Sequence, residues 1–342
     1  MMKKSLKIII LISLFLCLSA CKGQRVESLT YAVYPYLPDS EYYQELIEKR
    51  WAETEPDIKL IRAEWDCYTD GKPEGIDVMM FDADVESTII SSGWIQPVST
   101  DDIKEREDIF PYALEGLTVD GSLYGIPVFP CGNFLIYDEG CEELAHAEHI
   151  TDLSDESEML MINCENPENR PQYIVEVMAD LSGEINPVMA EGSEDIMQDI
   201  DRLAIEKHKK DDDLHVAMAY DSGTGQGYIS FSESMRLLKN RADQTMIRQI
   251  SFSDKENVKR LYCDAVAVSS DVKGQKNEKC LELMNVIAEA EILHALCIQN
   301  ETPQYLMTAR RSVYEDLARN DKLYGKLKEL AEDERNHIIV NP

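Results

Sequence analysis

The sequence predicts an α/β protein built on an open sheet, and three stretches carry that prediction. Thr30-Tyr31-Ala32-Val33-Tyr34 alternates like a first strand and is stopped by Pro35 and Pro38. The next segment places Tyr43, Leu46, Ile47 and Trp51 on a single helical stripe. Ile58–Trp65 and Ile76–Phe81 then read as a second and a third strand, the third mostly apolar as buried parallel strands are. Strand, helix, strand and strand in succession is the order of an open α/β sheet. With 342 residues, 44% of them hydrophobic and 29% charged, the chain has the composition of one or two globular domains.

The later elements follow the same logic. Ser87–Trp94 reads as a short helix ended by Gly93, Asp108–Leu114 as another, and Leu123–Pro127 leads into the run Val128–Tyr137. Asn166–Arg170 reads as a turn, and Pro171–Leu181 as a helix with Ile174, Val177, Met178 and Leu181 on one face. The charge run Lys207–Asp213 is expected to be a solvated loop without a function. Leu261–Val268 alternates like a strand, and Cys280, Leu283, Met284 and Ile287 mark a core-facing helix stripe.

The start of the chain has a different character. Lys3, Lys4 and Lys7 precede the apolar run Ile8–Leu16, and Leu18-Ser19-Ala20-Cys21 resembles the lipobox of bacterial lipoproteins. Residues 1–20 are therefore expected to be a lipoprotein signal peptide, Cys21 the lipid-bearing residue and residues 21–28 a tether. The protein is then expected to be exported and to meet the membrane only through that lipid, on its extracytoplasmic face.

Lys+Arg is 34 against Asp+Glu 65, a formal net charge of -31, which repels a phosphate backbone and excludes nucleic acid as a partner. Of nine cysteines, Cys17 leaves with the signal and Cys21 carries lipid. The remaining seven cannot all pair, so at least one thiol is expected free. There is no HExxH, paired CxxC, phosphate-binding glycine loop or GxSxG. His146 and His149 lack a third ligand, so neither a metal site nor a cofactor is expected.

Cys131 stands in Tyr124-Gly125-Ile126-Pro127-Val128-Phe129-Pro130-Cys131-Gly132-Asn133, where glycines and prolines punctuate an apolar stretch. That pattern suits a strand with a bend that aims a side chain into a cleft, although a free cysteine is more commonly a small packing residue. A thiol in so acidic a protein has a raised pKa and needs a base. Glu233, in Phe231-Ser232-Glu233-Ser234-Met235 after a glycine-rich turn, is the candidate, since burial against Phe231 and Met235 would raise its pKa. Helix capping is its alternative role.

Together with other segments in order along the chain, these residues resemble the thiaminase I (thiamine pyridinylase) family. The segments are Tyr34-Pro35-Tyr36-Leu37-Pro38-Asp39, Glu64-Trp65-Asp66-Cys67-Tyr68, Asp77 to Ala83, Ala113 to Gly116, Tyr124 to Tyr137, Ser232-Glu233, Tyr262 to Val266 and Tyr305 to Tyr314. The resemblance spans about residues 28 to 320 and is loose between about 140 and 220. It implies the two-lobed type II periplasmic-binding-protein-like fold, with a ligand cleft between lobes. On that fold, 29–135 and 260–305 would form lobe 1, and 136–259 and 306–342 lobe 2. Crossovers would lie near Phe134–Tyr137, near 255–262 and at Tyr305–Ala309.

The resemblance implies a nucleophilic role for Cys131, a basic role for Glu233, and aminopyrimidine binding by Asp82 and Asp264. Tyr34, Tyr36, Tyr68 and Tyr262 would line the cleft. Where the family pattern has tyrosine two residues before the glutamate, this chain has Phe231. The implied reaction is degradation of thiamine with a small nucleophilic co-substrate (amine, pyridine or thiol), by a monomer. The other reading is a lipid-anchored solute-binding protein for thiamine or a related pyrimidine, feeding an ABC transporter.

Overall fold

All five residues of the strand Val78–Asp82 are buried, as its apolar run predicts. It pairs parallel with Ser28–Ala32, which pairs parallel with Lys59–Arg62, and antiparallel with the long strand Lys259–Val268. Ile126–Cys131 joins Lys259–Val268 antiparallel, and Asn336–Ile338 lies parallel to its first residues, which completes a six-stranded sheet. The computed structural model describes residues 26–153, 159–183, 192–252 and 259–339. The expected signal peptide and Cys21 lie outside the described residues, as does the first half, 255–258, of the expected crossover near 255–262.

The helix Ser40–Thr54 packs on this sheet through Tyr43, Ile47 and Trp51, three members of a 3.6-residue stripe. Asp39 caps it by accepting from the Tyr42 backbone N–H at 3.0 Å. The Tyr43 hydroxyl donates to the Ile287 carbonyl at 2.7 Å, tying this helix to Gln275–Ile287, which buries Cys280, Leu283, Met284 and Ile287 as expected.

A second sheet runs in the order Thr245–Arg248, Phe134–Asp138, Gly227–Ser230, Leu160–Met161. Successive side chains of a strand point to opposite faces. Phe134 and Ile136 therefore join the first core, while Leu135 and Tyr137 face a second core with Tyr173, Val177, Ile200 and Phe252. The chain passes between sheets at Gly132-Asn133, just ahead of the expected Phe134–Tyr137, which is itself a strand of the second sheet. A Cβ at Gly132 would sit 3.1 Å from Leu261 Cδ2, so the crossing hugs the long strand where only glycine fits easily.

Three expectations need correction, the first in part. Within residues 306–342, expected in the second lobe, the strand Asn336–Ile338 hydrogen-bonds into the first sheet, while the helix Lys322–Ala331 packs on Thr245–Arg248 of the second and Lys322 bonds Glu139 and the Asp243 carbonyl. The helix Arg170–Ser182 turns Tyr173, Val177, Ala179 and Asp180 inward, because the i, i+4, i+7 set beginning at Tyr173 outweighs the stripe through Ile174 and Met178. The Lys207–Asp213 run is not a solvated loop. His208 and Lys209 are buried, with Lys209 paired to Asp201 (3.2 Å) and Glu206 (2.8 Å). Asp213 accepts from Asn163 (3.1 Å), Asn169 (3.0 Å) and Ser230 (3.1 Å).

Candidate active site

Strand register assembles the site. Tyr262 stands directly opposite Cys131 on one neighbour of the long strand, and Asp264 directly opposite Asp82 on the other. Directly opposed residues of an antiparallel pair share a face, and so do residues i and i+2 of one strand. Cys131, Tyr262, Asp264 and Asp82 therefore project from the same face, at the end of Ile126–Cys131 where the chain leaves for the second sheet.

Glu233 arrives from the second sheet. It follows the strand Gly227–Ser230 in the first turn of a short 3-10 helix, Ser232–Leu237. The glycine-rich approach is needed: Gly225 has φ 63°, and a Cβ there would meet the Met159 carbonyl at 2.8 Å. Ser232 donates to the Tyr305 carbonyl at 2.7 Å, so the turn bearing Glu233 is fixed to the segment expected to cross back between lobes. That segment is anchored in turn by the Ala309 N–H on the Val128 carbonyl at 2.9 Å.

Among the described residues no ion pair neutralises a carboxyl of this face. Burial and then the charges of Asp264, Glu233 and Asp82 hold the Cys131 thiol well above its ordinary pKa. Burial and then Asp82 and Glu233 raise Asp264, and burial raises Asp82. Two opposed carboxyls in such a place cannot both ionise at neutral pH, so the pair retains a proton. Burial pushes Glu233 up to about 7, with Asp213 adding to the rise and Arg236 opposing it. The histidine-free site thus holds a carboxyl poised to take or give a proton at neutral pH.

The tyrosines wall the open side. The Tyr68 hydroxyl donates to Asp82 Oδ2 at 2.6 Å and meets the Tyr34 hydroxyl at 3.3 Å, while Tyr36 donates to Asp66 Oδ2 at 2.8 Å. Ring centroids of Tyr34, Tyr36 and Tyr68 lie 5.5–6.5 Å apart. Tyr36 is 61% and Tyr68 45% exposed, an aromatic rim whose faces are left open for a flat ligand. Tyr262 is buried, and its ring meets Phe231 edge-on at 6.4 Å.

Sequence reasoning gave no role to two residues at this site. Asn133 Nδ2 donates to Glu176 Oε1 at 2.6 Å, and the Tyr262 hydroxyl donates to the same oxygen at 3.3 Å. Burial pushes Glu176 up to about 7, with Asn133 opposing the rise and Asp180 adding to it. A helical face drawn through Tyr173, Val177 and Asp180 would have turned Glu176 toward the interior. Beyond Asn133 and Glu176 lies a cavity of about 270 Å³ bounded by Asp180, Arg248 and Arg260, which Cys131 does not line. All seven described cysteines are free, and Cys67 and Cys263 are buried. Among the described residues no cluster of histidine, cysteine and carboxylate side chains could hold a metal.

Two sheets, with Cys131 where the chain leaves one for the other and a tyrosine rim beside it, define the class: a two-lobed α/β binding-protein architecture. The maltodextrin binding protein MalE1 from L. casei shares the fold, with a TM-score of 0.65 at 14% identity, covering 93% of this chain and 89% of that one. Thiaminase I of Clostridium botulinum, solved in complex with thiamin, superposes with a TM-score of 0.86 at 28% identity, covering 92% of this chain and 94% of that one. Thiaminase-1 of Paenibacillus thiaminolyticus is 28% identical over 91% of this chain and 83% of its own length. No family model matches the chain. The chain is a homologue of thiaminase I, and hence of an enzyme, built on the periplasmic-binding-protein-like fold.

Proposed function

We propose that this protein degrades thiamine by transferring its pyrimidinylmethyl group through Cys131. The observation that carries the reading is the shared face of Cys131, Asp264 and Asp82, on which the charge of Glu233 also acts. A pure carrier for a pyrimidine would have no use for a thiol and a carboxyl poised near neutrality beside its ligand.

The chemistry fits the electrostatics. Thiamine joins an aminopyrimidine to a cationic thiazolium through a methylene, and an acidic cleft attracts that cation. Asp82 and Asp264 accept from the pyrimidine amine and share their proton with a ring nitrogen. With the cation in place, the potential that keeps Cys131 protonated is offset, and Glu233 takes the thiol proton. The thiolate adds to the pyrimidine ring. The methylene–nitrogen bond then breaks with its electron pair going to the thiazole nitrogen, so the thiazole leaves neutral. Glu233 gives its first proton to solvent; an amine, pyridine or thiol then bonds to the methylene, passing any proton to Glu233. Cys131 is expelled as the pyrimidine regains aromaticity, and it takes its proton back from Glu233 or from solvent. We also place the protein as a monomer on the extracytoplasmic face of the cell membrane, held through lipid on Cys21. A Cys21→Ala chain should then fail to incorporate labelled fatty acid.

The test is intact-protein mass spectrometry of the protein lacking residues 1–21, incubated with thiamine and no added nucleophile. A mass gain equal to the pyrimidinylmethyl group, cleared by aniline and absent from Cys131→Ser, is expected. The likeness to a maltodextrin-binding protein keeps one other reading open, a solute-binding protein for thiamine or a related pyrimidine. Tight binding without adduct or thiamine loss, with nucleophile present, would establish that one instead.

A further inference from the structure

Glu176 is a half-buried carboxylate that the chemistry above leaves unused, yet it is bonded to two residues flanking the nucleophile. Asn133 is two residues beyond Cys131, and Tyr262 faces Cys131 across the ladder. Both donate to one oxygen, Oε1. The helix that carries Glu176 contributes Tyr173 and Val177 to the second core, so the contact reaches from that core to the first sheet. One turn further on, Asp180 has its own cation, Arg260, at 2.8 Å. Glu176 has no ion pair among the described residues, and the adjoining cavity gives water access to its carboxylate.

We propose that Glu176 is a positioning residue for substrate charge: its carboxylate, on the Tyr262 hydroxyl, enriches the Tyr262 ring and makes it a stronger cation-binding face beside Cys131. The physical basis is direct. A phenol that donates to a carboxylate gains phenolate character, and an electron-richer ring holds a cation more strongly over its face. The 3.3 Å bond is long for a hydroxyl–carboxylate pair, so the carboxylate charge contributes alongside the bond itself. The cleft thereby prefers a cationic ring beside the pyrimidine to a neutral ring of the same shape. This inference rests on the thiamine reading and extends it to substrate selection.

The experiment measures dissociation constants by calorimetry in a Cys131→Ser background, where thiamine is not consumed. Thiamine is compared with 3-deazathiamin, in which carbon replaces the charged ring nitrogen. Glu176→Gln keeps the size and the acceptor for Asn133 but removes the charge. It is expected to weaken thiamine binding about five- to tenfold while changing 3-deazathiamin less than about twofold, the scale of a desolvated cation–π contact. Tyr262→Phe alone, with Glu176 untouched, should lose the same preference, and adding Glu176→Gln to it should change the ratio no further. Equal weakening of both ligands would show a merely structural residue and overturn the inference. So would a preference retained in Tyr262→Phe, or a second loss on adding Glu176→Gln, which would show Glu176 acting without the tyrosine. A protein that binds neither ligand would sink the thiamine reading, and this inference with it.

Discussion

Two adjoining stretches of one strand treat carboxylates in opposite ways. At its start, Lys259 pairs with Asp333 at 2.6 Å and Arg260 with Asp180 at 2.8 Å, and Arg335 adds a second cation to Asp333 at 2.7 Å. Arg335 and then Lys259 hold the Asp333 carboxyl well below its ordinary range. A few residues on, Tyr262 and Asp264 look onto Asp82, Glu233 and Glu176, and there every shifted carboxyl moves upward. The protein does not lack cations to place: among the described residues they form ion pairs behind the cleft and none with its carboxyls. Unpaired buried charge costs stability, and its localisation in the cleft marks the place where a cation from outside is awaited.

The largest effect comes from breaking the paired stretch. Asp180 and Arg260 side chains are both 4% exposed, and Asp180 also accepts from the Phe252 N–H at 2.6 Å. Asp180→Asn leaves a buried guanidinium short of its counter-charge and should cost about 3–5 kcal/mol in urea unfolding. A loss under about 1 kcal/mol would mean that the two stretches do not differ as argued.

Glu86 sharpens the comparison, because it is unpaired. It is fully buried, neither carboxyl oxygen has a partner among the described residues, and burial alone pushes it up to about 8. The folded protein therefore keeps this proton to higher pH than the unfolded chain does. Its contribution is most favourable below the ordinary glutamate pKa, declines as pH rises toward about 8, and is flat beyond. Between pH 5 and 8 wild type should lose on the order of 3 kcal/mol relative to Glu86→Gln. Parallel stability–pH curves would contradict the assignment.

Within the cleft, Asp264→Asn tests the unpaired stretch. Asp264 follows burial as the largest influence on the Cys131 thiol, so its removal should lower the thiol pKa, read from the pH dependence of iodoacetamide alkylation. If Asp264 holds the pyrimidine as proposed, thiamine turnover should nonetheless fall about a hundredfold, with the loss of that hydrogen bond. An unmoved alkylation profile would mean that burial alone sets the thiol.

How much of this was legible depended on distance along the chain. Val78–Asp82 was readable because both faces of a buried strand must be apolar, and the Tyr43–Trp51 stripe because a surface helix buries one side. The opposition of Asp82 and Asp264 was not, since it depends on register between strands far apart in sequence. Only the family resemblance pointed to them. Glu176 escaped notice because a single inward carboxylate cannot be told from a solvated one until the helix is rotated correctly. The Lys207–Asp213 run misled for a related reason: a buried ion pair and a solvated charge have the same composition.

The smallest expected effect lies at Phe231, whose ring is edge-on to Tyr262 and half-buried in the wall of the cleft. Phe231→Tyr restores the hydroxyl of the family pattern at a place already rich in carboxyls. A new donor there would find an acceptor among Glu176, Glu233 and the Asp82–Asp264 pair, a bond worth about 0.5–1.5 kcal/mol. If the unpaired carboxylates serve the substrate cation, diverting one of them should raise KM for thiamine about two- to fivefold and leave kcat nearly unchanged. Should kcat rise instead with KM fixed, the missing hydroxyl belongs to the bond-breaking step. The difference between the two stretches would then concern proton transfer more than charge recognition.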